Sequence, residues 1–314
     1  MIDKKTLIKI AYWYYKEDMT QEQIAQKLHI SRQRINKIVN SLIKDGIVSI
    51  TINGIENEDV VLENLIERRF NLKQAIIADT ENSDLPLLSI LGKKAGEFLD
   101  DFIQDGDKIG VSWGLTLGET IQNMRPAHKS NCSVVQLVGG VDTSNHSIKP
   151  DEITRMLASK LGCNYSILYA PATMSSELAK EMAKEDFYKK TFERINECNI
   201  AIMGIGELSE KSTIVTEGYL SSKDMNMLLN SGYIGDICFN HYKIDGDFGT
   251  IQLQDRVMGV DMDMLQKIPT VMAIAGGKGK ADAVYGGLKT GCIDILVIDT
   301  SIAKELAKKL AAEN

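Results

Sequence analysis

The chain has 314 residues, 44% hydrophobic and 25% charged, which suits a water-soluble globular protein of more than one domain. It has no apolar run of membrane-spanning length and no leader-like start, so a cytoplasmic protein is expected. Five scattered cysteines without a CxxC pair exclude a disulfide scaffold; four distant histidines give no metal spacing, and neither a metal nor a cofactor is expected.

The net charge of −7 is uneven: Met1 to Ile55 holds nine Lys or Arg against five Asp or Glu, a local +4 that leaves −11 for the rest. A basic head on an acidic body directs a polyanion to the head. Residues 5–16 carry Leu7, Ile10, Ala11 and Tyr14 at helical spacing. Thr20 and Gln23 form a capping box for a second helix that buries Ile24, Ala25 and Leu28. After the tight His29-Ile30 connection, Ser31 caps a third helix, with Ile30 placed to staple onto Ile35. Its apolar stripe is Ile35, Ile38, Val39, Leu42 and Ile43, and Asp45-Gly46 ends it. Ile47 to Ile52 alternates and predicts a short strand, with Asn53-Gly54 as a hairpin-type turn.

Two short helices joined by a tight turn and followed by a β segment give helix-turn-helix geometry with a wing. The third helix exposes Arg32, Gln33, Asn36, Lys37 and Asn40, with no carboxylate before Asp45. Arg and Lys reach guanine or phosphate, and Asn and Gln pair with adenine. Thr20, Gln21, Ser31 and Arg34 complete the candidate DNA-binding set. The run MTQEQIAQKLHISRQRINKIVNSLIKDGIVSI resembles the N-terminal domain of SorC-type bacterial transcriptional regulators. The resemblance implies binding to double-stranded operator DNA with the third helix in the major groove.

Residues 55–59 are a polar, acidic linker, which places the helix-turn-helix domain at 1–54 and the body at 60–314. In the body, strands are predicted at 74–78, 108–111, 134–138, 165–168, 200–203, 236–239, 271–275 and 293–298. Helices are predicted at 60–70, 86–103, after the turn at 112–114, and at 151–161, 176–197, 224–231, 281–290 and 301–310. The alternation predicts an α/β body of right-handed βαβ units with a Rossmann-like, mainly parallel sheet. Its strands are continuous apolar runs, as when both faces are covered. Four strands end in small-residue turns: Ser112-Trp113-Gly114, Gly139-Gly140, Gly204-Ile205-Gly206 and Gly276-Gly277. Ligands of open α/β sheets bind beyond the carboxyl ends of the strands, so these turns are expected to converge on one pocket. In TVMAIAGGKGKADAVYGGLKT, residues 270–290, Lys280 enters a helix behind a glycine turn, a place suited to phosphate. No GxGxxG with a following acidic residue, no GxxxxGK[ST] and no GxSxG is present, against dinucleotide, P-loop and hydrolase-elbow chemistry.

GVSWGLTL, VVQLVGG, GYIGDICFN and AIAGGKGKADAVYGGLKTGCIDILVIDTSIAKEL are similar, in order, to blocks of the SorC-type sugar-binding domain. That domain is related in fold to ribose-5-phosphate isomerase and glucosamine-6-phosphate deaminase. The resemblance implies a homo-oligomeric regulator, a dimer or tetramer, controlling a carbohydrate operon as a repressor that a phosphorylated sugar loosens from DNA. It places the phosphate or sugar hydroxyls at Ser112, Trp113, Gly114, Leu115 and Thr116, and the sugar against Gly139 and Gly140. Asp236 would accept from sugar hydroxyls, and Gly276, Gly277 and Lys280 would hold the phosphate. The chain departs from the family at Trp113, Leu115 and Val138, which disfavours a second phosphate. The competing reading is a sugar-phosphate isomerase or deaminase with a DNA-binding head; its base would come from Asp142, Glu207 or Asp236, each after a glycine turn.

Overall fold

The structure is a computed structural model describing residues 2–51, 58–81, 83–140, 149–210, 212–216, 218–249 and 253–313. The chain forms two compact units, Met1–Asn57 and Glu58–Asn314.

The first unit is three helices, α1 (Lys4–Tyr15), α2 (Gln21–Leu28) and α3 (Arg32–Leu42). Asp3 caps α1, the Thr20/Gln23 capping box forms at α2, and Ser31 caps α3 by accepting from the Arg34 N–H. His29 closes α2 in the left-handed region, with φ of 53°, and this gives the tight turn. Ile10, Ala11, Ile24, Ala25, Ile35, Val39 and Leu42 form the core, with Ile30 packed against it. Ile43, expected in the apolar stripe, is 50% exposed because the helix ends one residue before it. The strand predicted at 47–52 is not formed over 47–51: Ile47 and Val48 instead pack on the core, and both their N–H groups donate to the Leu42 carbonyl. Ile52 and the Asn53-Gly54 turn lie outside the described residues.

The second unit opens with α4 (Glu58–Phe70), β1 (Gln74–Ala78), α5 (Leu87–Phe102), β2 (Lys108–Val111), α6 (Leu115–Asn123) and β3 (Ser133–Gln136). It continues through α7 (Pro150–Leu161), β4 (Asn164–Ser166), α8 (Ser176–Met182), α9 (Asp186–Asn196), β5 (Ile200–Gly204) and β6 (Gly206–Glu207). Then come α10 (Thr213–Thr216), α11 (Ser222–Asn230), β7 (Tyr233–Ile237), β8 (Asn240–Lys243) and α12 (Met262–Leu265). The chain closes with β9 (Thr270–Ala275), α13 (Ala281–Lys289), β10 (Ile295–Asp299) and α14 (Thr300–Ala312).

Seven strands form one parallel sheet in the order β1-β10-β9-β5-β2-β3-β4. Both faces are covered. Ile76, Ile202 and Val297 pack with Leu99, Leu117 and Leu157 of α5, α6 and α7. Their neighbours Ile77, Met203 and Ile298 pack on the other face with Ile66, Val284 and Leu306 of α4, α13 and α14. This two-sided burial is why the strands read as unbroken apolar runs. From β2 the chain runs outward through β3 and β4, then returns to β5 on the other side of β2. At the β1 edge, the Ala75 N–H donates to Glu67 Oε1 at 2.9 Å and the Ile77 N–H to Glu63 Oε1 at 2.8 Å. Two α4 carboxylates thus occupy the ladder of an edge strand.

A second sheet, β6-β7-β8, is antiparallel and was not anticipated as a sheet. The strand predicted at 236–239 is Tyr233–Ile237, and Cys238 and Phe239 are the turn, both left-handed with φ of 52° and 62°. Positive φ at both central residues is a type I′ hairpin turn, usually made by Asn-Gly. The helix predicted at 176–197 is two helices, because Ala183 ends α8 and extended Glu185 starts α9. The strand predicted at 165–168 is shifted to Asn164–Ser166, and the one at 134–138 ends at Gln136, with Val138 bridging only to Gly259.

Candidate functional site

The parallel sheet reverses its direction of growth between β2 and β5, and ligands of such sheets bind at that point. A cavity of about 260 Å³ lies there. Ser112–Leu117 line it after β2 and Gly204–Glu207 after β5. Ser212 and Thr213 at the start of α10, the hairpin residues Asp236, Cys238 and Phe239, and Lys280 supply further wall.

Helix α6 starts on this wall. Gly114 precedes it with φ of 142°, a backbone shape that side chains disfavour. The first N–H groups of a helix have no intrahelical acceptor and sit at its positive end, so Leu115 and Thr116 present anion-binding amides. Opposite in charge logic is Glu207, which lines the same cavity near Lys280. Lys280 ends the 3-10 turn Lys278–Lys280 that feeds α13, and its Nζ donates to the Ile205 carbonyl at 3.0 Å. Burial pushes its amine below the usual lysine range, opposed by Glu207 and Asp236.

Asp236 is 5% exposed. Its Oδ2 accepts from the Phe239 N–H at 3.1 Å, while Oδ1 has no hydrogen-bond partner among the described residues. Burial raises its carboxyl above the ordinary value; His241, the Phe239 N–H and Lys280 pull it back. Gly206 pairs with Asp236 across β6–β7, and a Cβ on Gly206 would lie 2.0 Å from Asp236 Oδ1. One wall is aromatic: the Trp113 ring centre is 4.9 Å from Tyr219 and 5.8 Å from Phe239.

Of the residues expected at the effector, the structure brings Ser112, Trp113, Gly114, Leu115, Thr116, Asp236 and Lys280 to the cavity. Gly139, Gly140, Gly276 and Gly277 do not line it. A Cβ on Gly139 would meet the Ala170 carbonyl at 2.5 Å and one on Gly140 would meet Pro150 at 2.3 Å, so both serve backbone packing. The Gly139 carbonyl accepts from Trp113 Nε1–H, one layer behind the wall. Gly276 faces Leu91, and the Gly277 N–H is committed to Asp299 Oδ2 at 2.7 Å. Among the candidate bases, Glu207 and Asp236 reach the cavity and Asp142 lies outside the described residues. Sequence reasoning missed Phe239, Ser212, Thr213 and the neighbour His241. The type I′ turn carries Phe239 inward, and no Asn-Gly signals that turn.

In the head, Ser31, Arg32, Gln33, Arg34, Asn36, Lys37 and Asn40 are all exposed along one side of α3. Gln21 Nε2 donates to Asn36 Oδ1 at 3.3 Å and ties α2 to that face. Thr20 is exposed, its hydroxyl engaged in the capping box.

Comparison with known proteins agrees with both units. The Sugar-bind family of sugar-binding domains matches residues 56–308, and the winged helix-turn-helix DNA-binding family matches 14–49. The deoxyribonucleoside regulator of Bacillus subtilis is 27% identical over 305 residues, covering 96% of this chain and 97% of that protein. The full-length sorbitol operon regulator SorC from Klebsiella pneumoniae superposes with a TM-score of 0.73 at 26% identity, covering 96% of this chain and 98% of that one. A sugar-binding domain of a transcriptional repressor from Vibrio fischeri superposes with a TM-score of 0.71 at 31% identity, covering 81% of this chain and 100% of that one. No helix among the described residues is long and apolar enough to cross a membrane. With a helix-turn-helix head and a Sugar-bind domain filling most of its length, the chain belongs to the SorC-type transcriptional regulators.

Proposed function

We propose that the body senses a monophosphorylated sugar and that the head represses a carbohydrate-metabolism operon until the sugar binds. The carrying observation is that the α6 N-terminus, Lys280 and Asp236 line one cavity, Asp236 with a buried carboxylate oxygen that has no partner among the described residues. Phosphate suits the first two, and a sugar hydroxyl suits the third. A volume of about 260 Å³ is small, fitting a monosaccharide with one phosphate. The carbohydrate assignment draws support from the sorbitol and deoxyribonucleoside regulators, and repression from the Vibrio fischeri protein. One helix-turn-helix reads a short site, so a homo-oligomer spanning two half-sites is part of the proposal.

The test is a thermal-shift screen of the full chain against phosphorylated sugars. Ligand at a hundredfold above its Kd adds about 2.7 kcal/mol to the folded state. Lys280→Ala is expected to abolish the shift while leaving the ligand-free melting curve in place. A full shift retained in Lys280→Ala removes that residue from the phosphate role, and no shift with any sugar phosphate overturns the proposal. Isomerase assays with ribose 5-phosphate and fructose 6-phosphate are expected to show no turnover; turnover would favour the enzyme reading.

A further inference from the structure

His241 stands directly across from Asp236 in the β7–β8 ladder, so the two side chains share one face of the small sheet. It is 2% exposed and Asp236 is 5% exposed. On the other flank of Asp236, Gly206 leaves room for Oδ1, and the strained Cys238-Phe239 turn commits Oδ2 to the Phe239 N–H. Oδ1 and both ring nitrogens of His241 are buried without a hydrogen-bond partner among the described residues, so the two side chains stand side by side with no hydrogen bond between them. We propose that Asp236 and His241 carry one proton as a pair, and that His241 is a positioning residue which takes that proton when ligand binding brings a hydroxyl donor to Oδ1. The proposal rests on the reading of this cavity as the sugar site.

Burial disfavours charge on both partners, raising the carboxyl and lowering the imidazole, and so shifts the pair toward its neutral form. A hydroxyl donated to Oδ1 stabilises the carboxylate and opposes that shift. The proton leaves the Asp236 carboxyl and arrives on an imidazole nitrogen, and the pair's net charge stays zero. The other groups facing the pair are few. Tyr242 of β8, Cys238 of the turn and Cys292 beyond Tyr242 stay neutral, since burial pushes Cys238 up to about 12, Cys292 up to about 11 and Tyr242 well up. Lys280, before α13, pulls the Asp236 carboxyl down, and Glu207 of β6 acts on Lys280. Neither is a direct cross-strand neighbour of Asp236 on the β8 side. The arrangement selects a ligand that brings a hydroxyl donor to Oδ1; an analogue lacking that hydroxyl leaves the proton on Asp236.

The experiment uses the full chain, with ribose 5-phosphate and fructose 6-phosphate as probes. Histidine ring signals are followed by NMR, His241 being assigned by its loss in His241→Phe. Saturation with a probe that binds is expected to move the wild-type His241 signal toward the imidazolium position at constant pH, with no such movement in the near-isosteric Asp236→Asn. His241→Phe is expected to bind more weakly than wild type, with the loss shrinking as pH rises from about 6.5 to about 9, because without the imidazole the carboxyl must give its proton to solvent. A His241 signal that stays neutral on binding overturns the proposal, as does a His241→Phe affinity loss that is equal at both pH values. If neither probe binds the wild-type chain, the sugar-phosphate reading still stands or falls by the thermal-shift screen. The ligand-free titration then decides the pair: His241 titrating identically in wild type and Asp236→Asn overturns it.

Discussion

Gly206 and Asp236 are related by a missing methyl group. A Cβ at 206 would sit 2.0 Å from Asp236 Oδ1, so Gly206→Ala is expected to turn the carboxylate away from the cavity. The cost is about 1–3 kcal/mol of stability for overpacking, read by denaturant unfolding, and ligand affinity is expected to fall further than stability alone explains. Asn240 has a comparable role in the turn. Its Nδ2 donates to the carbonyls of Ile237, Cys238 and Val260, holding two residues in the left-handed region. Asn240→Ala is expected to destabilise the body by roughly 2–4 kcal/mol, the loss of buried bonds plus released strain. On α3, Lys37→Ala is expected to weaken operator binding uniformly and lower the salt slope by about one. Glycine shows where single residues stop being legible. Gly204 and Gly206 line the cavity, whereas Gly139, Gly140 and Gly276 fill tight contacts with Ala170, Pro150 and Leu91. The same residue answers both needs, and only the distant partner, set by tertiary packing, tells them apart.

Elements were legible where periodicity alone decides them. The capping box at Thr20, the apolar stripe of α3 from Ile35 to Leu42 and the continuous strand runs at 74–78 and 108–111 all stand where the sequence puts them. The β6-β7-β8 sheet did not show, since β6 is two residues long and the β7–β8 turn uses Cys-Phe. The edge of β1 gives an element-scale prediction. Burial raises the Glu63 carboxyl, and the Ile77 N–H only partly offsets this. A raised carboxyl favours the fold most below its unfolded value and loses that advantage as pH climbs through the folded one. Glu63→Gln keeps an acceptor for Ile77 without a desolvated charge, so it is expected to be neutral or stabilising at pH 7. Glu63→Ala, which opens the ladder, is expected to cost about 1 kcal/mol and to increase self-association on concentration. The end of α14 behaves in the opposite sense. Bonds from Tyr285, Arg69 and Lys289 hold the Glu313 carboxyl down at about 2. Its contribution is present above the ordinary 4.5 and lost as pH falls toward 2, and Glu313→Gln is expected to flatten stability across that window.

At the scale of the molecule, sensing and reading sit in separate units, so an effector changes DNA affinity only by favouring one arrangement of the chain or its copies over another. Typical coupling predicts a 5- to 150-fold fall in operator affinity at saturating effector, checked by titrating labelled operator with and without sugar phosphate. Thermodynamic reciprocity requires operator DNA to weaken effector binding by the same factor. The strand order carries a further consequence, for how the chain comes to exist. Strand β1 lies at residues 74–78, yet its ladder partner β10 lies at 295–299. On a ribosome adding about 5–20 residues per second, β1 waits roughly 10–45 s for that partner. The head, closed by its own core, has no such wait. For that interval each nascent chain carries a finished DNA-reading module and an unfinished sensor, and the α4 carboxylates, bound to the Ala75 and Ile77 N–H groups, cover the outer edge of β1 and leave the edge that waits for β10 open.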